Sequence, residues 1–428
     1  MSDNDAMGGF FGLDGPREFA DGKCLAISSF GNVGAVNTGD GLVLIDTATK
    51  QLANLAFSAL RDWSTEPVRA VILTHGHFDH AFGFGPILAE ATQNGWERPT
   101  IIAHQNILHR FEKYRMLAPY QAWINGMQFS SILPGGRGTV VSPEDAPVPD
   151  ILVKDGETYT FARGDCTFEV HPEWGETDDH LWVHVPETES IFAGDMLISS
   201  FPNVGNPFKV QRYPKQWADG LRRIADKHAE HAFPGHGPLV SGKERVEDML
   251  LTTARALEFV HDSVVAKLNE HKWFDTIFRE VMAEYPEDFR TSEWLKPIYG
   301  CPEFAIHASY RLYHGWFQTG NPTDLFPSPK NEIDQELVSL LGEDGPDKLV
   351  ERAKALHDAG NHQLALHILD VALEGSDPSS PAIARASDIK MRALKALARS
   401  ATSMITRNIY TNGANALRTE KKEKQASS

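Results

Sequence analysis

The chain has 428 residues, with 58 acidic against 41 basic side chains and a formal charge of −17 at pH 7. That length allows two domains with ample buried core, and the charge excludes a nucleic-acid groove, which needs a basic stripe. The three cysteines, Cys24, Cys166 and Cys301, are odd in number and far apart, so they read as small buried hydrophobes rather than a disulfide framework.

Met1 to Gly9 is polar and lacks a basic stretch followed by an apolar one, and no run of about eighteen apolar residues occurs. Neither a secretory signal nor a membrane span is expected, and a cytoplasmic location follows by default. Residues 1–20 read as a polar lead-in. Strand-type runs follow at Leu25–Phe30, Val33–Asn37 and Leu42–Asp46, punctuated by Gly31, Gly39 and Gly41. Helical periodicity over residues 48–63 puts Leu52, Leu55, Ala56 and Leu60 on one face.

The short apolar run Val68–Leu73 then stops abruptly at Thr74-His75-Gly76-His77-Phe78-Asp79-His80. An apolar run ending in a polar cluster predicts a buried strand that opens into a loop. His75, His77, Asp79 and His80 fall within six residues there, and imidazole with carboxylate suits zinc, iron or manganese.

A helix is expected to start at Ala81–Ala91, and a strand at Thr100–Ala103. Ile107–Met116 predicts an amphipathic helix with a basic side of His109, Arg110, Lys113 and Arg115. Residues 117–150 carry Pro119, Pro134, Pro143, Pro147 and Pro149 and read as a long loop. Their Tyr120, Trp123, Met127 and Phe129 suit either an apolar lid on the site, within residues 104–150, or packing on a second domain.

Strands return at Tyr159–Phe161, Cys166–His171, Leu181–Val185 and Ser190–Ala193, followed by a helix over about Pro214–Lys227. Two β-rich halves each followed by helices predict an αββα sandwich over residues 1–245. Residues 246–417 read as an all-α domain. It holds a long segment Asp248–Glu270, a hairpin of Leu349–Leu356 and Leu364–Leu373 around Gly360-Asn361, and a helix over Ala382–Ser400. The hairpin has the look of a tetratricopeptide pair without a sustained repeat. Residues 418–428, rich in Lys, Glu and Ser, are expected to be a disordered tail.

T-H-x-H-x-D-H at Thr74–His80, Gly194-Asp195 after a strand, and Pro234-Gly235-His236-Gly237 stand in the order that resembles the metallo-β-lactamase superfamily. The resemblance implies a dinuclear site. His75 and His77 would serve the first metal, Asp79 and His80 the second, and His236 would be the final ligand. Asp195 would bridge them, and Asp46 would support the loop from behind. One ligand stays open. In Trp174-Gly175-Glu176-Thr177-Asp178-Asp179-His180, Glu176 takes the place of the family's G-H-T histidine, nineteen residues before Asp195, with His180 as competitor. His171 reads as a supporting or buried residue.

Glu176, the helical half, and Tyr310-Arg311-Leu312-Tyr313-His314-Gly315-Trp316-Phe317 with Gly320-Asn321-Pro322 resemble the alkylsulfatase-like branch and its dimerisation domain. The resemblance runs from about Leu25 to Leu417, and a C-terminal sterol-carrier-like domain is not expected. Asp195 replaces that branch's bridging Glu, Phe304-Ala305 stand at its His-Asn pair, and its sulfate-contacting Arg falls near Pro207. The expected function is a metal-dependent hydrolase in which a bridging hydroxide cleaves an ester-type bond and Asp79 and Asp195 are catalytic. Its cofactors would be two divalent ions, zinc first, with manganese or iron as alternatives. Lys209, Arg212, His180 and His307 are candidate anion holders or acids, with solvated, ion-paired or core roles as the competing readings. A lactonase, a carboxylic or phosphate ester hydrolase, and a non-haem iron redox enzyme are the alternatives. A small-molecule ester as substrate and a second copy as homodimer partner complete the expectation.

Overall fold

The computed structural model describes residues 15–131 and 145–426. They divide into two compact units. The first runs to Ala122 and resumes through Trp316; the second takes Trp123 onward and Phe317 to the end.

In the first unit, strands β1 (Pro16–Phe19), β2 (Cys24–Ile27), β3 (Val33–Asn37), β4 (Leu42–Ile45), β5 (Val68–Ile72), β6 (Thr100–His104) and β7 (Ile151–Val153) form one sheet in that order. The second sheet takes β8 (Tyr159–Arg163), β9 (Cys166–Glu173), β10 (His180–Val185), β11 (Ser190–Ile198), β12 (His231–His236) and β13 (Val240–Ser241). Strand periodicity decides which face each residue serves. Val43 and Ile45 of β4 point between the sheets, with Phe168, Val183, Phe192 and Phe233. Leu42 and Leu44 point outward, onto α1 (Ala53–Trp63), α3 (Gly85–Asn94) and α4 (Ile107–Gln128), through Leu60, Ile87 and Phe111.

The outer face of the second sheet is covered by α5 (Pro214–Ala225) and α6 (Lys243–Asn269). The αββα order is therefore as expected. The expected division at 245/246 is not where the structure divides. Val246, Leu250 and Leu257 of α6, Ile277 of α7 (Phe274–Glu284) and Ile306 of α9 (Pro302–Tyr313) share one core with Trp182, Ile191 and Trp217. The short α8 (Glu287–Thr291) lies between α7 and α9. Cutting at 246 would expose that core, so the helices to Trp316 belong with the sandwich.

The second unit is helical: α10 (Lys330–Ser339), α11 (Gly345–Asp358), α12 (His362–Gly375), α13 (Pro381–Ser400) and α14 (Met404–Ala426). Val350, Ala353, Leu369, Ala372, Ala386 and Ile389 form its core.

Other expectations are corrected. The tail is not disordered up to 426. It continues α14, whose Ala414 packs with Leu366 and Leu394, and Lys and Glu are good helix formers. The expected loop from 117 begins as helix. α4 runs on to Gln128 after a single non-helical residue, Leu117, and Pro119 sits in the first turn beyond that kink, where its missing N–H costs nothing. Pro134 and Pro143 lie outside the described residues. The expected helix from Ala81 is two pieces, α2 (Phe78–Ala81) and α3, separated by Phe82-Gly83-Phe84. Among the described residues, no helix is long and apolar enough to cross a membrane.

Candidate metal centre

Most of the candidate ligands stand just past the ends of strands, whereas Asp195 lies within β11 and His236 closes β12. Asp46 directly follows β4 and is held at a positive φ of 65°. Its two carboxylate oxygens fasten the loop after β5. Oδ1 accepts from Thr74 N–H at 2.7 Å, and Oδ2 accepts from Thr74 Oγ1 at 2.7 Å and lies 2.8 Å from His80 Nδ1. That bond puts the proton on Nδ1 and leaves Nε2 of His80 as a bare electron pair. Thr47 holds the same turn, accepting nothing from His80 but donating from N and Oγ1 to its carbonyl at 2.8 and 2.9 Å.

Two clusters of ligand atoms result. His75, His77, Glu176 and Asp195 make one, and Asp79, His80 and His236 the other; within each, the atoms lie within 4.8 Å of one another. Asp195 faces both. Its Oδ2 is 3.7 Å from His75 Nε2, while its Oδ1 is 3.3 Å from His80 Nε2 and 3.4 Å from His236 Nε2. Glu176 Oε2 lies 3.5 Å from His77 Nδ1, and His236 Nε2 lies 3.5 Å from Asp79 Oδ2.

These spacings fit cations. Ligand bonds of about 2.0–2.1 Å at tetrahedral angles separate the ligand atoms by about 3.3 Å. Buried polar atoms normally find hydrogen-bond partners. Yet His80 Nε2, Glu176 Oε2 and Asp195 Oδ1 are buried without one. Gly235 explains part of the Pro-Gly-His-Gly turn: a Cβ there would come within 2.0 Å of Asp195 Oδ1. Asn32 clasps that turn, donating from Nδ2 to the carbonyls of Pro234 and Gly237 at 2.9 and 2.8 Å.

Electrostatics divide the imidazoles. Burial, with His80 and His77 beside it, keeps His75 neutral, well below the usual histidine range. Burial would also lower His80, but Asp195, Asp46 and Asp79 outweigh it and hold that ring basic. Burial opposes ionisation of Glu176, yet Arg212 keeps it well below the usual carboxylate range.

Glu176, not His180, stands in the ligand cluster. His180 is fully buried and stacks on His75 with ring centroids 5.0 Å apart. Burial pushes it down to about 4. Its burial behind the His75 ring gives the expected anion-holding role of His180 no support. Arg212 is corrected as well. It is buried, and its Nη1 donates to Glu176 Oε1 and to the Asn203 carbonyl, so it holds a ligand residue rather than solvent-borne anions. Asn203 Nδ2 donates to the same Glu176 oxygen at 2.7 Å. His171 lies elsewhere, stacked on Trp182 with centroids 4.0 Å apart. Lys209 is half-buried, and burial with Arg212 pushes it down to about 7 while Glu176 and Asp79 pull it back up.

Three supports escaped sequence reading. Asp179 is fully buried, accepts from Gly76 N–H at 3.0 Å and pairs with Arg110 Nε at 2.8 Å, so α4 steadies the loop between His75 and His77. Tyr299 lies in the field of Glu176, Asp79 and Asp195, and burial raises its phenol. Lys113 sits nearby and is lowered by burial, then by Arg110 and Arg212. Only the basic side of the helix that carries Arg110 and Lys113 gave any hint of this.

The metallo-beta-lactamase superfamily matches residues 28–236, and the family described as alkyl sulfatase dimerisation matches residues 275–420. A linear primary-alkylsulfatase of a Pseudomonas species is 26% identical over 394 residues, covering 87% of this chain and 71% of the relative. An (R)-specific secondary-alkylsulfatase of Pseudomonas is 24% identical, covering 90% of this chain and 60% of the relative. An alkyl/aryl-sulfatase of Saccharomyces cerevisiae is 24% identical, covering 90% and 61%. The solved structure of a stereoselective inverting sec-alkylsulfatase from Pseudomonas shares the fold, with a TM-score of 0.79, 21% identity, and coverage of 94% of this chain and 65% of that one. The chain thus spans about 60% to 70% of the length of these relatives.

Proposed function

From a chain that joins a metallo-beta-lactamase superfamily domain to an alkylsulfatase dimerisation domain, we propose a dinuclear metal-dependent hydrolase that cleaves sulfate esters. The observation that carries the dinuclear reading is Asp195, which turns one carboxylate oxygen toward His75 and the other toward His80 and His236.

His75, His77, Glu176 and Asp195 would hold one ion. Asp79, His80, His236 and the other oxygen of Asp195 would hold the second. Two divalent ions in such a set acidify water into the neutral range and draw an ester oxyanion toward positive charge. The chain's own residues do the rest. Asp79, at the edge of the second cluster, orients the proton of the attacking water. Lys209 receives the anionic head of the ester. Asp46 and Asp179 fix the loop so that the histidines need not reorganise. The relatives named as alkylsulfatases favour a sulfate ester over the lactone, carboxylic ester and phosphate ester alternatives.

Zinc is the proposed metal, since imidazole and carboxylate at tetrahedral spacing suit it. Elemental analysis together with the visible spectrum separates zinc from iron. A panel of alkyl sulfates, lactones and phosphate diesters separates the substrates; turnover of another ester with none of any sulfate overturns the sulfatase reading. A homodimer through the second unit is part of the proposal. Phe326 and Leu340 there are 83% and 80% exposed, and Ile333 and Leu337 on α10 are also open. Apolar side chains in that number on one segment mark an association surface.

A further inference from the structure

Helix α6 buries Leu257, Val260 and Val264 in the core, and His261 lies in the same stripe, 7% exposed. An imidazole in such a place needs partners for its nitrogens, and both have one. Nδ1 lies 2.7 Å from Asp262 Oδ1, and Nε2 lies 2.7 Å from the phenol oxygen of Tyr313. Tyr313 is the last residue of α9, three positions beyond the buried Tyr310, and is 58% exposed. Its ring meets that of His261 edge to face, with centroids 5.6 Å apart. Neither residue belongs to either cluster of the metal centre.

The direction of each bond follows from the donors. An ionised carboxylate only accepts, so Asp262 puts the ring proton on Nδ1. Nε2 is then a bare electron pair, and the Tyr313 phenol donates to it. The order is carboxylate, imidazole, hydroxyl: a nucleophile within hydrogen-bond reach of a base, and the base oriented by a third group. A tie between α6 and α9 would need only the bond from Tyr313 to His261. Asp262 adds what a tie does not use. It holds the base in its accepting tautomer and meets the positive ring that forms when the phenol proton is taken. The base is buried, and the residue that carries the nucleophile is open to solvent.

We propose that Tyr313 is an activated nucleophile that accepts an acyl group from an aryl ester, with His261 as its base and Asp262 positioning that base. Tyr313 Oη bonds to the acyl carbon, and the bond from that carbon to the aryl oxygen breaks. The phenol proton passes to His261 Nε2 and from there to the departing aryl oxygen. The products are an O-acyl Tyr313 and a free phenol, and the imidazole returns to its neutral form. An exposed phenol meets its donor from solution, so the donor class is one whose leaving group departs readily by itself. Aryl esters are of that class.

Mass-spectrometric peptide mapping of the zinc-loaded full chain after timed exposure to p-nitrophenyl acetate tests this. Tyr120, 51% exposed, is the internal reference. Tyr313 should acetylate about a hundredfold faster than Tyr120, the lower end of what general-base assistance supplies. His261→Gln should bring Tyr313 down to the Tyr120 rate. His261 is buried and its replacement can disturb α6, so Asp262, with 68% of its side chain exposed, carries a second test. Asp262→Asn should slow the labelling of Tyr313 by about tenfold or more with an unchanged thermal midpoint, since the base then loses its tautomer. Asp262→Glu should restore most of the rate, which a merely structural contact would not do. A Tyr313 that labels no faster than Tyr120, or a rate that Asp262→Asn leaves unchanged, overturns the proposal. The label is read at Tyr313 itself, so the outcome stands apart from whether the metal centre cleaves any sulfate ester.

Discussion

Arg212 Nη1 donates to Glu176 Oε1, with both side chains only 4% exposed. The pair leaves Glu176 Oε2 turned to His75 and His77. The arginine thus fixes one oxygen so that the other can serve as a ligand atom. Arg212→Met removes the counter-charge of a buried carboxylate, which costs about 3–5 kcal/mol. The expected variant unfolds at lower denaturant and carries less than one equivalent of metal at the first cluster. Arg212→Lys restores part of both. Two full equivalents of metal and a wild-type midpoint in Arg212→Met would remove this role from the arginine.

Asp179 and Arg110 act one step further from the ligands. Asp179 receives the Gly76 N–H between the two histidines of the first cluster, and Arg110 Nε orients it. Asp179→Asn keeps an acceptor for Gly76 but loses the charged partner. Such supporting groups are worth about 10–100-fold in metal affinity. Competition with a chromophoric chelator reads that loss directly, independent of turnover, and Arg110→Met should match it. An unchanged affinity in both variants would show that the loop holds its shape through Asp46 alone.

The legible part of this centre was local. His75, His77, Asp79 and His80 fall within six residues after β5, Asp195 follows Gly194 within β11, and His236 closes β12 after Gly235. The sandwich was likewise legible, from two runs of short strands each followed by helices, although the uniformly apolar Leu42–Ile45 did not show that Val43 and Leu44 face opposite layers. The choice between Glu176 and His180 was not legible. Both follow β9, and burial against His75 was decided by Gly194, whose missing Cβ leaves room for the His180 ring. Arg110–Asp179 and Arg212–Glu176 join residues 69 and 36 positions apart, and no periodicity reports such pairs. The helical tail was misread because Lys and Glu mark both solvated disorder and solvated helix, and only Ala414 against Leu394 tells them apart.

The second unit offers its own test. Ile333, Leu337 and Leu340 recur at helical spacing along α10 and just past its end, and each is open to solvent. Leu337→Glu with Leu340→Glu puts like charges on that face without touching the core of Val350, Ala353 and Leu369. Sedimentation should show a wild-type dimer and a variant monomer with the same helical circular dichroism. A variant that stays dimeric places the interface elsewhere.

Lys209 makes the pH dependence specific. Burial and the neighbouring Arg212 push its ammonium down to about 7 from an ordinary 10.5. The folded chain therefore releases that proton between about 7 and 10.5 while the unfolded chain still binds it. Stability rises with pH across that window. Binding of an anionic head moves the other way. The charge that attracts it is present below about 7 and is lost as pH rises through that value. Two bound divalent ions add positive charge nearby and push the same proton off earlier. Arginine keeps its charge throughout the accessible range, so Lys209→Arg should carry the alkaline limb of kcat/KM up by more than about one pH unit. Lys209→Met should lower kcat/KM at pH 6 and flatten that limb. The pH profiles of the three proteins on one sulfate ester make the comparison. An alkaline limb that stays in place in Lys209→Arg assigns it to another group and leaves Lys209 outside substrate binding.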